Sequence, residues 1–220
     1  MGRLIVLDGL DGCGKSTQSE KVAALLAMER PVKLISFPDY AEPSSTLVQM
    51  YLRGEFSDNP DDVNAYAAGS FYAVDRYASY MKFWKKLYEE DTLILATRYT
   101  TSNAIHQMSK LPEDEWDAYL DWLSTYEYDQ LGLPRPDLVI FLDMDRAVSD
   151  KLLSDRYGGD ESKKDIHERN RAYLANCRKT AAFAADRQNW AVIRCDDGAN
   201  PLPIETITEK IMAVVREKNI

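Results

Sequence analysis

Eight consecutive residues carry the clearest chemistry in the chain. Gly9, Leu10, Asp11, Gly12, Cys13, Gly14, Lys15 and Ser16 hold two glycines with four residues between them, followed by Lys and a hydroxyl residue. Such a loop lets the backbone turn tightly, so that successive N–H groups and the positive end of the next helix converge on a phosphate chain. On such a chain, Lys15 would reach the β and γ phosphates. Ser16 would hold Mg²⁺, a hard cation that takes oxygen ligands and keeps most of its waters. Thr17 opens the helix behind the loop and belongs to the same triphosphate-binding stretch.

Two further groups could do chemistry. Asp75 and Arg76 sit within an aromatic stretch that holds Tyr66, Phe71, Tyr72, Tyr77, Tyr80, Phe83 and Trp84. Aromatics at helical spacing are core material, but an Asp-Arg pair among them hints at a site. Arg98 follows an apolar run and opens a polar turn into a helix. Ligands of parallel sheets bind beyond the carboxyl ends of strands, so Arg98 is well placed to meet phosphate.

The elements that must position these groups are legible as alternating patterns. Leu4-Ile5-Val6-Leu7 has the apolar, β-branched character of a strand buried on both faces, and residues 17–30 read as a helix. Residues 32–36, 92–96, 138–142 and 190–194 predict four more strands. Helices are predicted over residues 46–53, 60–89, 112–131, 145–153, 165–186 and 204–218, the second started by Asn59-Pro60-Asp61-Asp62. The acidic charge of residues 112–131 is read as a solvated face beside Trp116, Leu120, Leu123 and Tyr126. This alternation predicts an α/β fold: a five-stranded parallel sheet with helices on both faces and right-handed crossovers, as one domain over residues 1–220. Residues 154–164 contain Gly158-Gly159 and many charges, and apart from Tyr157 they can bury nothing apolar; they predict a mobile lid.

Composition narrows the partners. A chain of 220 residues with 45% hydrophobic content suits one sizeable soluble core. A formal charge of -9 argues against nucleic-acid and membrane-surface binding, which need a basic field. Cys13, Cys177 and Cys195 have no metal-ligand spacing and suggest a reducing cytoplasm. No apolar run approaches the roughly 20 residues that span a bilayer.

Taken in order, the phosphate loop, Phe37-Pro38, the aromatic stretch ending in Asp75-Arg76, Arg98-Tyr99 with Ser102-Asn103, Pro136-Asp137-Leu138 with Leu142-Asp143, and the charged lid resemble the thymidylate kinase family of P-loop nucleoside monophosphate kinases. The resemblance covers most of the chain. It implies a homodimer that uses ATP and Mg²⁺ to phosphorylate dTMP to dTDP in dTTP synthesis. Residue by residue, it gives Tyr72 the ring that stacks on thymine and Arg76 the guanidinium that bonds the base, both physically apt for a flat ring with carbonyl oxygens. Asn103 would read the base edge, Asp11 would contact the 3′ hydroxyl, and Arg98 would bind the acceptor phosphate. Phe37, Tyr40, Ser102 and His106 complete the expected acceptor site. Gly12 stands where some members carry a loop arginine, which implies a catalytic cation in the lid: Arg156 first, Lys163 or Lys164 behind it.

Two departures from the family pattern matter. Tyr40 stands where an arginine usually follows Phe-Pro-x, and Thr97 replaces an Asp thought to help place Mg²⁺ and the phosphates. They leave two other readings open: a kinase of the same fold acting on another nucleotide or nucleoside, and a paralogue that binds nucleotide without transferring phosphate.

Overall fold

The computed structural model describes residues 2–157 and 166–220. Among them the apolar runs pair as one sheet of β1 (Leu4–Gly9), β2 (Val32–Ser36), β3 (Leu93–Thr97), β4 (Leu138–Asp143) and β5 (Ala191–Arg194), in the order β2-β3-β1-β4-β5. Every neighbouring pair is parallel, and Val6 in the central strand stands opposite Ala96 on one side and Val139 on the other. The chain leaves β1 toward β2 on one side and later crosses from β3 to β4 on the other. That reversal opens a crevice at the carboxyl ends of the strands.

The connecting helices are α1 (Lys15–Leu26), α2 (Thr46–Leu52), α3 (Ala65–Ser79), α4 (Lys85–Glu89), α5 (Thr100–His106), α6 (Trp116–Ser124), α7 (Arg146–Tyr157), α8 (Ile166–Arg169), α9 (Arg171–Arg187) and α10 (Ile204–Glu217). The two-residue alternation of the strands assigns them to faces. Ile5, Leu7, Leu95 and Ile140 pack with Val22 and Leu26 of α1 and with Ile207, Ile211 and Val215 of α10. Leu4, Val6, Ile94 and Ala96 face the other way, against Tyr80, Trp84 and Tyr88. Beside them, Phe141 packs with Ile105 of α5, Leu120 of α6 and Ala181 of α9. Each fully buried Val, Leu or Ile contributes about 1.5–3 kcal/mol, so both faces hold the sheet in place.

Several helices differ from the sequence expectation, each for a local reason. The helix expected over residues 60–89 is divided. Asn59 caps only a single turn at Pro60–Asp62, while α3 starts five residues later, where the Asn64 side chain accepts from the Tyr66 and Ala67 amides. A wide π-type turn, Tyr80–Trp84, then separates α3 from α4. A second one, Thr125–Gln130, follows α6. Asn170 caps α9 and splits the helix expected over residues 165–186. The helix expected over 145–153 continues as α7 to Tyr157, so the first residues assigned to the lid form its last turn. The rest of that segment, including Lys163 and Lys164, lies outside the described residues, as does the side chain of Arg156. Among the described residues no helix is long and apolar enough to cross a membrane.

Candidate active site

The phosphate loop is held from outside as well as by its own turns. Gly12 and Gly14 adopt φ of 82° and 85°, a region L side chains rarely enter, and Gly14 caps α1. A Cβ on Gly12 would lie 2.7 Å from the Ser149 carbonyl oxygen, so the loop is pressed against α7 and any side chain there would push the two apart. Lys15 Nζ donates to the Gly9 and Leu10 carbonyls at 2.8 and 2.9 Å and lies 3.6 Å from Asp11. The ammonium thus sits at the loop. Ser16 and Thr17 are exposed on the first turn of α1.

Arg98 occupies the end of β3 with φ 64°, a backbone conformation uncommon for a non-glycine residue and worth relating to function. Its guanidinium bonds Asp11, donates to Ser102 Oγ and His106 Nε2 at 3.2 Å, and lies 3.6 Å from Asp8. Asp8 is buried and accepts from the Gly9 amide, Thr101 and Ser102, so its oxygens anchor the start of α5 to the end of β1. Burial works against the Asp11 charge, but Arg98 and then Lys15 outweigh it and hold the carboxyl far below its usual range. Thr97 is buried and donates to Ser19 Oγ at 2.7 Å. Asp143, an acid able in principle to reach a metal near this end of the sheet, is paired instead with Arg178 and Arg194.

Across the crevice, Asp75 and Arg76 part company. Asp75 accepts from the Asp39 amide and the Ser44 hydroxyl, tying the loop after β2 to α3. Arg76 forms a bidentate pair with Glu127 at 2.5 and 2.6 Å and donates to the Tyr99 carbonyl at 3.3 Å. Burial opposes the charge on Arg76, and the Glu127 carboxylate outweighs it and keeps the guanidinium protonated. Asn103 bonds the same carboxylate at 3.2 Å. Tyr72 packs edge-on against Tyr51, with ring centroids 6.5 Å apart. Phe37, Tyr40, Tyr72, Arg76, Arg98, Ser102, Asn103 and His106 line one cavity of about 380 Å³ with Asp11, Gly12, Gly14, Lys15 and Ser16.

The wall of the cavity contains both histidines of the chain. Since a guanidinium only donates, His106 Nε2 accepts from Arg98 and the proton sits on Nδ1, 3.6 Å from Cys177 Sγ. Burial and the neighbouring Arg98 push His106 down to about 4. His167 is lowered as well, by burial and then by His106 and Lys110.

A family model described as thymidylate kinase matches residues 7–211. The chain belongs to the thymidylate kinase family. A Mycobacterium tuberculosis protein named thymidylate kinase is 33% identical over 158 residues, 71% of this chain and 71% of that one. Human thymidylate kinase is 32% identical over 151 residues, covering 68% of this chain and 65% of the human one. The solved thymidylate kinase of Candida albicans superposes with a TM-score of 0.69 at 22% identity, over 99% of this chain and 92% of that chain, a likeness of fold. The architecture is that of a P-loop nucleoside monophosphate kinase: a five-stranded parallel sheet with helices on both faces.

Not every residue that the thymidylate kinase pattern singles out reaches the cavity. Cys13 is buried in the core beside β1, Thr17 points outward from α1, and Gly9 abuts Cys13 and Leu142. Leu10 lines a separate cavity of about 160 Å³ between the loop, α7 and α9. Glu127 behind the cavity, and Ser36, Leu52, Gln107 and His167 in its lining, were not anticipated. Glu127 was hidden in a stretch read as a solvated acidic face. Yet it follows Leu123 by one helical step, and an acid on a core stripe demands a cationic partner. Gln107 and His167 line the cavity with no sequence signal beyond their neighbours. Gln107 Oε1 is buried without a hydrogen-bond partner among the described residues.

Proposed function

We propose that this chain transfers the γ-phosphoryl group of ATP to dTMP, giving dTDP and ADP. One observation carries the reading: the phosphate loop with Lys15 and the base-binding set Tyr72, Arg76 and Asn103 share a single cavity, with Arg98 also in its wall. The acceptor phosphate has its second pKa near about 6, so its oxygen is already deprotonated at neutral pH and needs no general base. The task of the protein is to hold two anions in line and to meet the charge that spreads over the transferring group. Lys15 takes the β and γ phosphates of ATP and Arg98 takes the acceptor phosphate, turning part of its guanidinium from Asp11 to do so. Asp11 is left to accept from the 3′ hydroxyl. The cation for the transferred group comes from the segment after α7, with Arg156 first choice and Lys163 or Lys164 behind it.

Mg²⁺ fits the donor set. Among the described residues no group of three or more His, Cys, Asp or Glu could form a protein-only site. The exposed Ser16 hydroxyl beside Lys15 offers one hard oxygen, and a Mg²⁺ bound by ATP needs little more. Bound there, the ion would neutralise phosphate charge.

The working form in this proposal is a homodimer. Val74, Tyr77 and Met81 are 42%, 39% and 49% exposed along one side of α3 and the turn after it, an apolar stripe that a second copy would cover. The buried free thiols of Cys13, Cys177 and Cys195 support a reducing, cytoplasmic setting. Phosphorus NMR of the protein with ATP, dTMP and Mg²⁺ tests the activity. Equal amounts of ADP and dTDP are expected, and ADP released without dTDP contradicts the reading.

A further inference from the structure

Glu127 does not line the cavity, yet it holds two residues that do. It is fully buried, in the wide turn Thr125–Gln130. Its Oε2 accepts from Arg76 Nε at 2.6 Å, and its Oε1 accepts from Arg76 Nη2 at 2.5 Å and Asn103 Nδ2 at 3.2 Å. The second Asn103 Nδ2 hydrogen goes to the Gly69 carbonyl at 3.0 Å. Both partners of Nδ2 are oxygens that cannot donate, so the amide can sit only one way round. Asn103 therefore offers Oδ1, an acceptor, to the cavity. Arg76 has five N–H groups, of which three go to Glu127 and the Tyr99 carbonyl. The two left, one on each terminal nitrogen, are donors only.

We propose that Glu127 is a positioning residue that fixes the hydrogen-bond polarity of base recognition, by locking the Asn103 amide and the Arg76 fork through one buried carboxylate. The proposal rests on the reading that the acceptor base lies against Tyr72, Arg76 and Asn103. A wall with Arg76 donors beside the Asn103 acceptor matches a ring carbonyl next to a ring N–H, the edge that thymine and uracil share. Cytosine carries an amino group and a bare ring nitrogen there, so it would set donor against donor and acceptor against acceptor. Without Glu127 only the Gly69 carbonyl still holds the amide, so turning it costs one hydrogen bond instead of two, and its NH₂ can then serve the cytosine ring nitrogen. Rejection of the wrong base thus comes from a residue that never touches it.

The test compares kcat/KM for dTMP and dCMP in the wild type, Glu127→Gln and Glu127→Asp. In Glu127→Gln one carboxylate oxygen becomes an NH₂ and the charge is lost, so at least one donor of Arg76 or Asn103 loses its acceptor. Where the NH₂ takes the place of Oε1, the Asn103 amide turns to accept from it. The preference for dTMP over dCMP is then expected to fall by about tenfold or more. The KM for ATP should stay within about twofold, because Lys15 and the phosphate loop are untouched. Glu127→Asp keeps the charge on a shorter stem and should recover part of the preference. If both variants keep the wild-type preference while losing turnover equally on the two acceptors, Glu127 is structural and the proposal is overturned. Should neither variant fold, the Asn103 side-chain NH₂ signal of ¹⁵N-labelled wild type decides. Both hydrogens staying protected from exchange with dTMP bound supports the lock, and loss of protection on binding overturns it. A wild type inactive on dTMP would instead sink the reading of the activity itself, which separates the two failures.

Discussion

His106 and His167, far apart in sequence, lie stacked with ring centroids 5.5 Å apart and planes 9° from parallel in the wall of the cavity. Around them Tyr51 and Tyr173 reach His167 at 2.8 and 3.3 Å, and Tyr173 donates to the His106 carbonyl at 2.7 Å. Two imidazoles packed this way, with Arg98 on one and Lys110 near the other, share an environment that disfavours their charged forms.

That packing makes stability depend on pH in a defined direction. The unfolded chain takes up a proton on His106 near 6.5, whereas the folded protein does so only near about 4. The contribution is complete above pH 6.5 and is lost progressively as pH falls from there towards 4, by roughly 3 kcal/mol in all. His167 adds a loss of the same sign. Urea unfolding of wild type and His106→Gln at pH 7.5, 6 and 5 checks this: the variant, whose amide can still accept from Arg98, should show the shallower fall. Parallel curves would remove His106 from the account.

Lys15→Ala should reduce turnover by roughly 10²–10³-fold or more, since it deletes a donor aimed at the phosphates. The fold should survive, because the partners of the ammonium, the Gly9 and Leu10 carbonyls, Asp11 and Cys13, all belong to the loop itself. Circular dichroism beside a coupled assay measures both, and normal turnover in a folded variant would dismiss the loop assignment.

Tyr72→Ala should act on the acceptor alone. Loss of a stacking face is worth roughly 1–3 kcal/mol, so the KM for dTMP should rise while that for ATP holds. A rise in the ATP value alone would mean that the two nucleotides occupy each other's ends of the cavity.

Thr97→Asp should lower the Mg²⁺ concentration needed for half-maximal rate. In the present chain the Thr97 hydroxyl hydrogen is taken by Ser19, and Asp8, one residue before the loop, is committed to Gly9, Thr101 and Ser102. A carboxylate at position 97 would add an anchor for the ion or its waters. Identical Mg²⁺ titrations of the two proteins would place this position outside metal binding.

The sheet was legible because its strands are short apolar runs separated by helical patterns, and the phosphate loop because its glycines, lysine and serine are contiguous. The helix ends were less so. Asn59 and Asn64 are both good caps, and only the packed structure shows that α3 starts at the second. Arg76 could be picked out as unusual among aromatics, but its partner Glu127 lies 51 residues away in a stretch dominated by exposed acids. Pairings of that range are set by the packing of α3 against the segment after α6; the spacing from Leu123 marks Glu127 as inward-facing but does not name its partner. The histidine stack is of the same kind, since neither residue has a neighbour in sequence that announces the other.

The most direct test of the central claim is acceptor selectivity. With saturating ATP and Mg²⁺, ADP release coupled to NADH oxidation is followed with dTMP, dUMP, UMP, CMP, AMP and GMP in turn. The account expects the highest kcat/KM with dTMP, a lower value with dUMP, and little above background with CMP and AMP. A purine nucleotide or CMP turned over better than dTMP, or ADP release indifferent to which acceptor is present, would contradict it.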